Sequence, residues 1–290
     1  MSFFRGLLTA FVATGERGIA PHSPRTIYRV TLQESQVRSG MAAKIGRGIA
    51  RTLLALGLIA AAVFAAFGYF DRDPVNLYPA RGPAKPVAVV NFSGDMGLRF
   101  LLGASTSRGL TENGYQVVGL TSPVLFRTHR TAAQVDAIIA DGIRTALART
   151  GAQRIVVMGQ SYGADVVQTG LAHLPADLRP KVAAIILILP GDTVYFRADP
   201  TGQAYRGKSE SDAAASVNTL TWAPLTCIQG IEEPDSLCPH VRIPDARVIK
   251  MPGGHNINHD EDALLAHVLT AITSATKAPP AEKTVLQGAT

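Results

Sequence analysis

Six short apolar runs recur between residues 87 and 251: "VAVVNF" (Val87–Phe92), "YQVVGL", "RIVVMG", "VAAIILIL" (Val182–Leu189), "LTCIQG" and "ARVIKM". A strand with one wet face alternates apolar and polar residues. These runs hardly alternate, so both of their faces must be covered. Between them lie stretches with helical spacing: Arg99 to Asn113, Thr131 to Arg149, Tyr162 to Leu174, and Asp260 to Thr273 at the end. Strands covered on both faces and separated by helices predict a doubly wound, mostly parallel α/β sheet in one domain over residues 87–276. No internal repeat competes with that reading. Between Gly191 and Trp222 the pattern breaks, which leaves room either for an extra strand and a mobile loop over the functional edge of the sheet or for a plain surface excursion.

The formal charge of +6 lies entirely in residues 1–70, and residues 71–290 are neutral in sum. A nucleic-acid-binding domain carries its charge on the folded part, so no nucleic acid is expected as a partner. Thr52 to Phe70 form 19 residues without a charge, near the length that crosses a bilayer as a helix. Lys44, Arg47 and Arg51 precede the run and Asp71-Arg72-Asp73-Pro74 follow it. Positive charge before an apolar helix keeps that side cytoplasmic. A buried core helix and a cleaved signal peptide compete with a membrane anchor, but "AAFGYF" offers no clean small-x-small cleavage site. The expectation is a single-pass inner-membrane anchor at 52–70 with the domain in the periplasm. A cytoplasmic segment would precede it at 1–51, with Met1 and Met41 both possible starts. A Pro-rich stiff linker is expected at 71–86 and a loose polar tail at 277–290.

One motif carries chemistry. Gly159-Gln160-Ser161-Tyr162-Gly163 joins the run "RIVVMG" to a helix. G-x-S-x-G in that context is a nucleophile elbow. The turn strains the serine, and glycine two residues away on either side removes clashes with strand and helix. The backbone N–H of Tyr162 then lies at a helix N-terminus, as an oxyanion donor. A second donor is expected from "NFSGDMG" after the first run, at Asp95 or Met96. Asp165, in the first helical turn, reads as a structural carboxylate. Arg127 and Arg130, after the second run, are candidates for holding an anionic substrate group, against the commoner solvated pair.

A serine nucleophile needs a base and an orienting acid, in the chain order Ser, acid, His for this kind of fold. His255, in the Gly-Gly turn after the last run, takes the base position, with His259 as alternative. The acid falls in "IEEPDSLCP". Asp235 is preferred as acid, and Glu232 and Glu233 stay open. The two cysteines, Cys227 and Cys238, flank that loop. An even count in an exported domain points to a disulfide that clamps it. No set of four metal ligands is in view, and neither metal nor organic cofactor is expected.

"NFSGDMG", "GQSYGADV", "CIQGIEEPDSLCP" and "PGGH" resemble marks of the bacterial virulence protein family of VirJ and AcvB type, over roughly Val87 to Leu269. The resemblance implies an exported α/β-hydrolase fold, with Ser161, Asp235 and His255 as catalytic residues. It further implies periplasmic hydrolysis of aminoacylated phosphatidylglycerol, chiefly the lysyl form, and an association with type IV secretion and virulence. Two positions depart from the family pattern. Met96-Gly97-Leu98 stands where Gly-Gly-Trp is usual, and Asn256 replaces a histidine beside His255. The expected activity is hydrolysis of a lipid or other ester. A generic esterase or thioesterase, or a hydrolase-fold partner of envelope or secretion proteins, is the alternative.

Overall fold

A computed structural model describes residues 24–277. The proposed polar tail falls almost entirely outside them. They fall into two units, one running to Ile59 and one starting at Ala60. The first unit is helical wherever it is described. Its helix, α1 (Pro24–Ala66), begins within the segment expected to be cytoplasmic, well before the apolar run. Ala43–Ala66 is long and apolar enough to cross a membrane. The helix stops at Ala66 rather than Phe70. Gly68 takes φ 77°, its N–H donates to Ala65 O (3.0 Å), and the Tyr69 N–H donates to Phe64 O (3.0 Å). The Tyr69 and Phe64 rings meet edge to face at 5.2 Å. This is a Schellman cap with its apolar contact.

The second unit is built on the strands β1 (Val75–Tyr78), β2 (Val87–Phe92), β3 (Val117–Leu120), β4 (Arg154–Gln160), β5 (Val182–Ile188), β6 (Thr193–Val194), β7 (Ser211–Asp212), β8 (Leu225–Gly230) and β9 (Arg247–Met251). All but β6 and β7 join one seven-stranded sheet in the order β1-β3-β2-β4-β5-β8-β9. Its neighbours are parallel except β1, which pairs antiparallel with β3, Val75 opposite Leu120. The stretch read as a linker therefore supplies an edge strand. The expected linker is corrected because Asn76 and the flanking prolines hide a four-residue strand that needs pairing on one side only.

Side chains of the central strands alternate between two cores. Val90, Phe92, Val157, Ile185 and Leu187 face α4 (Ala132–Thr150), α5 (Tyr162–Ala172) and α6 (Ala213–Val217). Val89, Val156, Met158, Ile186 and Ile188 face α2 (Leu101–Glu112) and α7 (Glu261–Lys277). Both faces of β2, β3, β4, β5 and β8 are buried, which is why those runs read as continuous apolar segments. Strand β9, at the sheet edge, is largely exposed, which corrects the expectation that its run is covered on both faces. A short α3 (Ser122–Leu125) follows β3. Thr131 and Gln134 form a capping box that starts α4. The break at 191–222 folds as a two-residue ladder of β6 with β7, followed by α6.

Candidate active site

Ser161 sits at the tip of β4 with φ 52° and ψ −128°, a backbone conformation that costs a non-glycine residue about 1–3 kcal/mol. The flanking glycines make it reachable. A Cβ on Gly163 would lie 2.2 Å from Phe92 O, and one on Gly159 would lie 2.5 Å from Gly163 O. Strand, turn and helix are in backbone contact, and no side chain fits between them. The Ser161 N–H donates to Ile188 O (2.8 Å), which ties the tip to β5.

Ser161 Oγ lies 2.8 Å from His255 Nε2. The other ring nitrogen, Nδ1, contacts Glu233 Oε1. Glu233, not Asp235, therefore meets the histidine, which corrects the expected acid. The reason is the path of the backbone. The Glu233 N–H donates to Gly230 O (3.3 Å) and that of Glu232 to Gly253 O (3.0 Å), so the chain turns tightly at the end of β8. A Cβ on Gly230 would lie 2.2 Å from Gly254 O: the acid turn and the histidine turn touch backbone to backbone. Glu233 is in reach at that contact. Two residues on, Asp235 has left it. Its side chain is exposed, and its carbonyl accepts from the Asp192 N–H (2.8 Å). Glu232 is exposed as well.

The Glu233 side chain is 7% exposed, and its second oxygen is buried without a partner. A buried carboxylate beside an imidazole favours the charged ring. The hydrogen bond to Glu233 accordingly raises the His255 pKa above its ordinary value, against the opposing effect of burial. A disulfide joins Cys227, in β8, to Cys238, and so closes the loop that carries Glu233.

Asp95 and Met96 line a cleft of about 140 Å³ beside Ser161, with Gly94, Phe100, Leu102, Leu189, His255, Asn256, His259 and Glu261 among its other walls. A Cβ on Gly94 would lie 3.5 Å from that of Ser161, so the loop after β2 lies over the elbow. Tyr162 begins α5, where a backbone N–H has no intrahelical acceptor. Its ring packs against those of Phe126 and Tyr205. Tyr205, from the 191–222 excursion, donates to Asp95 Oδ2 (3.1 Å). Burial pushes the Asp95 carboxyl up, and the bonds from Tyr205 and its own N–H counter that. Tyr205 and Glu261 escaped the reading of the sequence, because nothing local marks a residue that arrives from a distant loop.

Asp165 accepts from the Gly191 N–H (2.8 Å). Loss of hydration holds its carboxyl well above the usual range. Gly191 bridges Ser236, so this contact links α5 to the acid turn. Arg127 and Arg130 do not line the cleft, which corrects their reading as substrate ligands. Arg127 donates to Asp71 O and Arg130 Nε to Leu125 O (2.8 Å). Each gives a hydrogen bond to a loop carbonyl, and Arg127 Nε is buried without a partner. Among the described residues no group of three or more His, Cys, Asp or Glu is placed to hold a metal ion.

A family model described as "Bacterial virulence protein (VirJ)" matches residues 86–276. No curated protein sequence matches the chain. Among solved structures, Est1E from Butyrivibrio proteoclasticus with ferulic acid bound superposes with TM-score 0.53 at 15% identity, over 70% of this chain and 96% of that one. Proline iminopeptidase of Mycobacterium smegmatis gives 0.53 at 14%, over 70% and 95%. An alpha-beta serine hydrolase homologue from Coxiella burnetii gives 0.51 at 14%, over 68% and 89%. At these identities the likeness is one of fold: the domain is an α/β-hydrolase fold.

Proposed function

The chain belongs to the bacterial virulence protein (VirJ) family, and from that premise we propose that it is a membrane-anchored serine hydrolase of esters. The observation that carries the reading is the 2.8 Å contact between the strained Ser161 Oγ and His255 Nε2, with Glu233 on the far side of the ring. In this mechanism Oγ attacks the ester carbonyl and its proton passes to Nε2. Glu233 keeps the proton on Nδ1 in place and stabilises the imidazolium. The oxyanion takes the N–H of Tyr162 and that of Asp95 or Met96, from the loop that lies over the elbow. The tetrahedral intermediate collapses, and His255 returns the proton to the leaving alcohol. Water, deprotonated by the same histidine, then releases the acid and restores Ser161.

The finer reading is an aminoacylated phospholipid such as lysyl-phosphatidylglycerol, cleaved outside the cytoplasm. Family membership supports it, as does the cleft. Asp95 and Glu261 bring carboxylates to a cleft that holds the apolar Met96, Phe100, Leu102 and Leu189 beside the polar Gln160, Asn256 and His259, chemistry that suits a cationic acyl group joined to a lipid. The charge before the apolar part of α1 supports an inner-membrane anchor with the domain in the periplasm. The test has two arms. A fluorophosphonate should label the full chain and fail to label Ser161→Ala. The detergent-solubilised protein should release amino acid from aminoacylated phosphatidylglycerol. Labelling without release would keep the hydrolase and remove this lipid.

A further inference from the structure

Five large apolar side chains outside α1 are at least two-fifths exposed among the described residues: Phe70, Leu77, Phe100, Ile231 and Val248. The two aromatics share one neighbourhood. Phe70 stands in the turn that ends α1, in edge contact with Tyr69 (5.7 Å). Phe100, thirty residues on, meets Phe67 edge to face at 5.9 Å. Phe100 is also a wall of the cleft that holds Ser161. An exposed phenylalanine in a cleft wall, with a second on the segment packed beside it, carries a solvation cost that a partner would relieve.

Polar contacts tie the segment that carries Phe70 to the loop that carries Phe100. Arg99 donates twice to the Asp71 carboxylate (2.7 and 2.8 Å) and once to Ala65 O (3.1 Å), in the last turn of α1. Gly97 takes φ 77°, and a Cβ there would lie 2.5 Å from Phe67 O. Arg127 holds Asp71 O from the other side. The segment 67–71 is therefore packed onto the loop that runs from the oxyanion donors to Phe100. These contacts all lie within the second unit, which includes the last turns of α1. The helix end is built into the wall of the cleft.

We propose that Phe70 and Phe100 form a seat for the bilayer surface, so that the cleft opens onto the lipid headgroups and an ester lipid reaches Ser161 without leaving the interface. The occupant is a lipid surface rather than another protein, because the patch is continuous with the end of a helix apolar enough to cross a membrane. Phenylalanine on an interfacial face buries into the boundary between headgroups and acyl chains. The proposal rests on reading α1 as a membrane span and Ser161 as the nucleophile.

The test uses the full chain in proteoliposomes, with the one natural tryptophan, Trp222, replaced by Phe. Into this background go, one at a time, Phe100→Trp, Phe70→Trp and, as a deep control, Leu54→Trp. Quenching by lipids brominated near the glycerol is compared with quenching by aqueous iodide. Bromolipid quenching of the Leu54→Trp variant and labelling of Ser161 by fluorophosphonate verify the two premises independently of the seat. With both in place, the proposal expects shallow bromolipid to quench Phe100→Trp as it does Phe70→Trp. Quenching of Phe100→Trp by iodide alone would overturn the seat, because the cleft then faces water. A Phe100→Trp fluorophore reached by neither quencher would overturn it too, in favour of a second copy covering the patch. The functional arm uses Phe70→Ser, outside the catalytic machinery. It should leave hydrolysis of a short soluble ester unchanged and lower hydrolysis of a bilayer ester by about tenfold, in keeping with one phenylalanine losing its burial. Equal rates on the bilayer ester would overturn the loading route.

Discussion

The serine elbow and the acid turn stand opposite each other at the same sheet edge and are built by the same device, glycines that let backbones touch. They differ in what fixes them. The elbow's turn is set by Gly159–Gly163 between one strand and one helix, and the outside atoms against it belong to the neighbouring strand ends, Phe92 O and Ile188 O. The acid turn is settled by partners from elsewhere in the chain. Gly254 touches Gly230, Cys238 is bridged to Cys227, and Gly191 is paired with Ser236. A residue in the elbow inherits its role from its neighbours in sequence. A residue in the acid turn inherits its role from the tertiary fold, and a shift of two positions changes which carboxylate arrives.

The comparison can be broken at several points, in falling order of expected effect. Ser161→Ala should remove about 10⁴–10⁶-fold of kcat with the fold intact, as judged by ester turnover and circular dichroism. A folded, fully active variant would end the account of the elbow. Glu233→Gln should cost about 10³–10⁴-fold, because the histidine then loses its tautomer, while Asp235→Asn and Glu232→Gln each change kcat by less than about tenfold. The reverse order would return the acid to Asp235. Gly163→Ala forces a methyl against Phe92 O and Ser93 O at the end of β2 and should lower stability by about 3 kcal/mol, measured by denaturant melting. A neutral result would mean the strand and helix can part. Replacing Cys227 and Cys238 together by Ser should cost about 2–3 kcal/mol and loosen the acid turn more than the elbow. Hydrogen exchange at Gly230–Glu233 against Gly159–Gly163 separates the two regions, and equal loosening would contradict the difference drawn between them.

The same contrast explains what the sequence reveals. Strands β2, β4, β5 and β8 are legible because both of their faces are buried, so their composition is uniform. The edge strand β1 is not, because Val75–Tyr78 pairs on one side only and sits among prolines. Ser161 and His255 follow from a local motif and from the chain order of the fold. Glu233 follows from neither. The signal that finds it is the glycine ending β8, which marks a tight turn and places the carboxylate three residues later across from the Gly-Gly turn. Arg127 and Arg130 lie in the predicted loop, yet each turns a guanidinium N–H to a backbone carbonyl, of Asp71 and Leu125, and neither lines the cleft. Backbone acceptors from distant segments leave no trace in a charge pattern.

The pairing of Glu233 with His255 is tested most directly by the pH dependence of fluorophosphonate labelling at Ser161. His255 accepts a proton from Ser161 only when neutral, so labelling falls as pH drops through the histidine pKa. Glu233 raises that pKa, which places the acid limb of the wild-type profile above the ordinary histidine value of about 6.5. Removing the carboxylate removes the cause of the rise. Glu233→Gln should therefore move the limb to lower pH and Asp235→Asn should leave it nearly where it was. A limb that stays put in Glu233→Gln, or that moves as far in Asp235→Asn, would contradict the assignment.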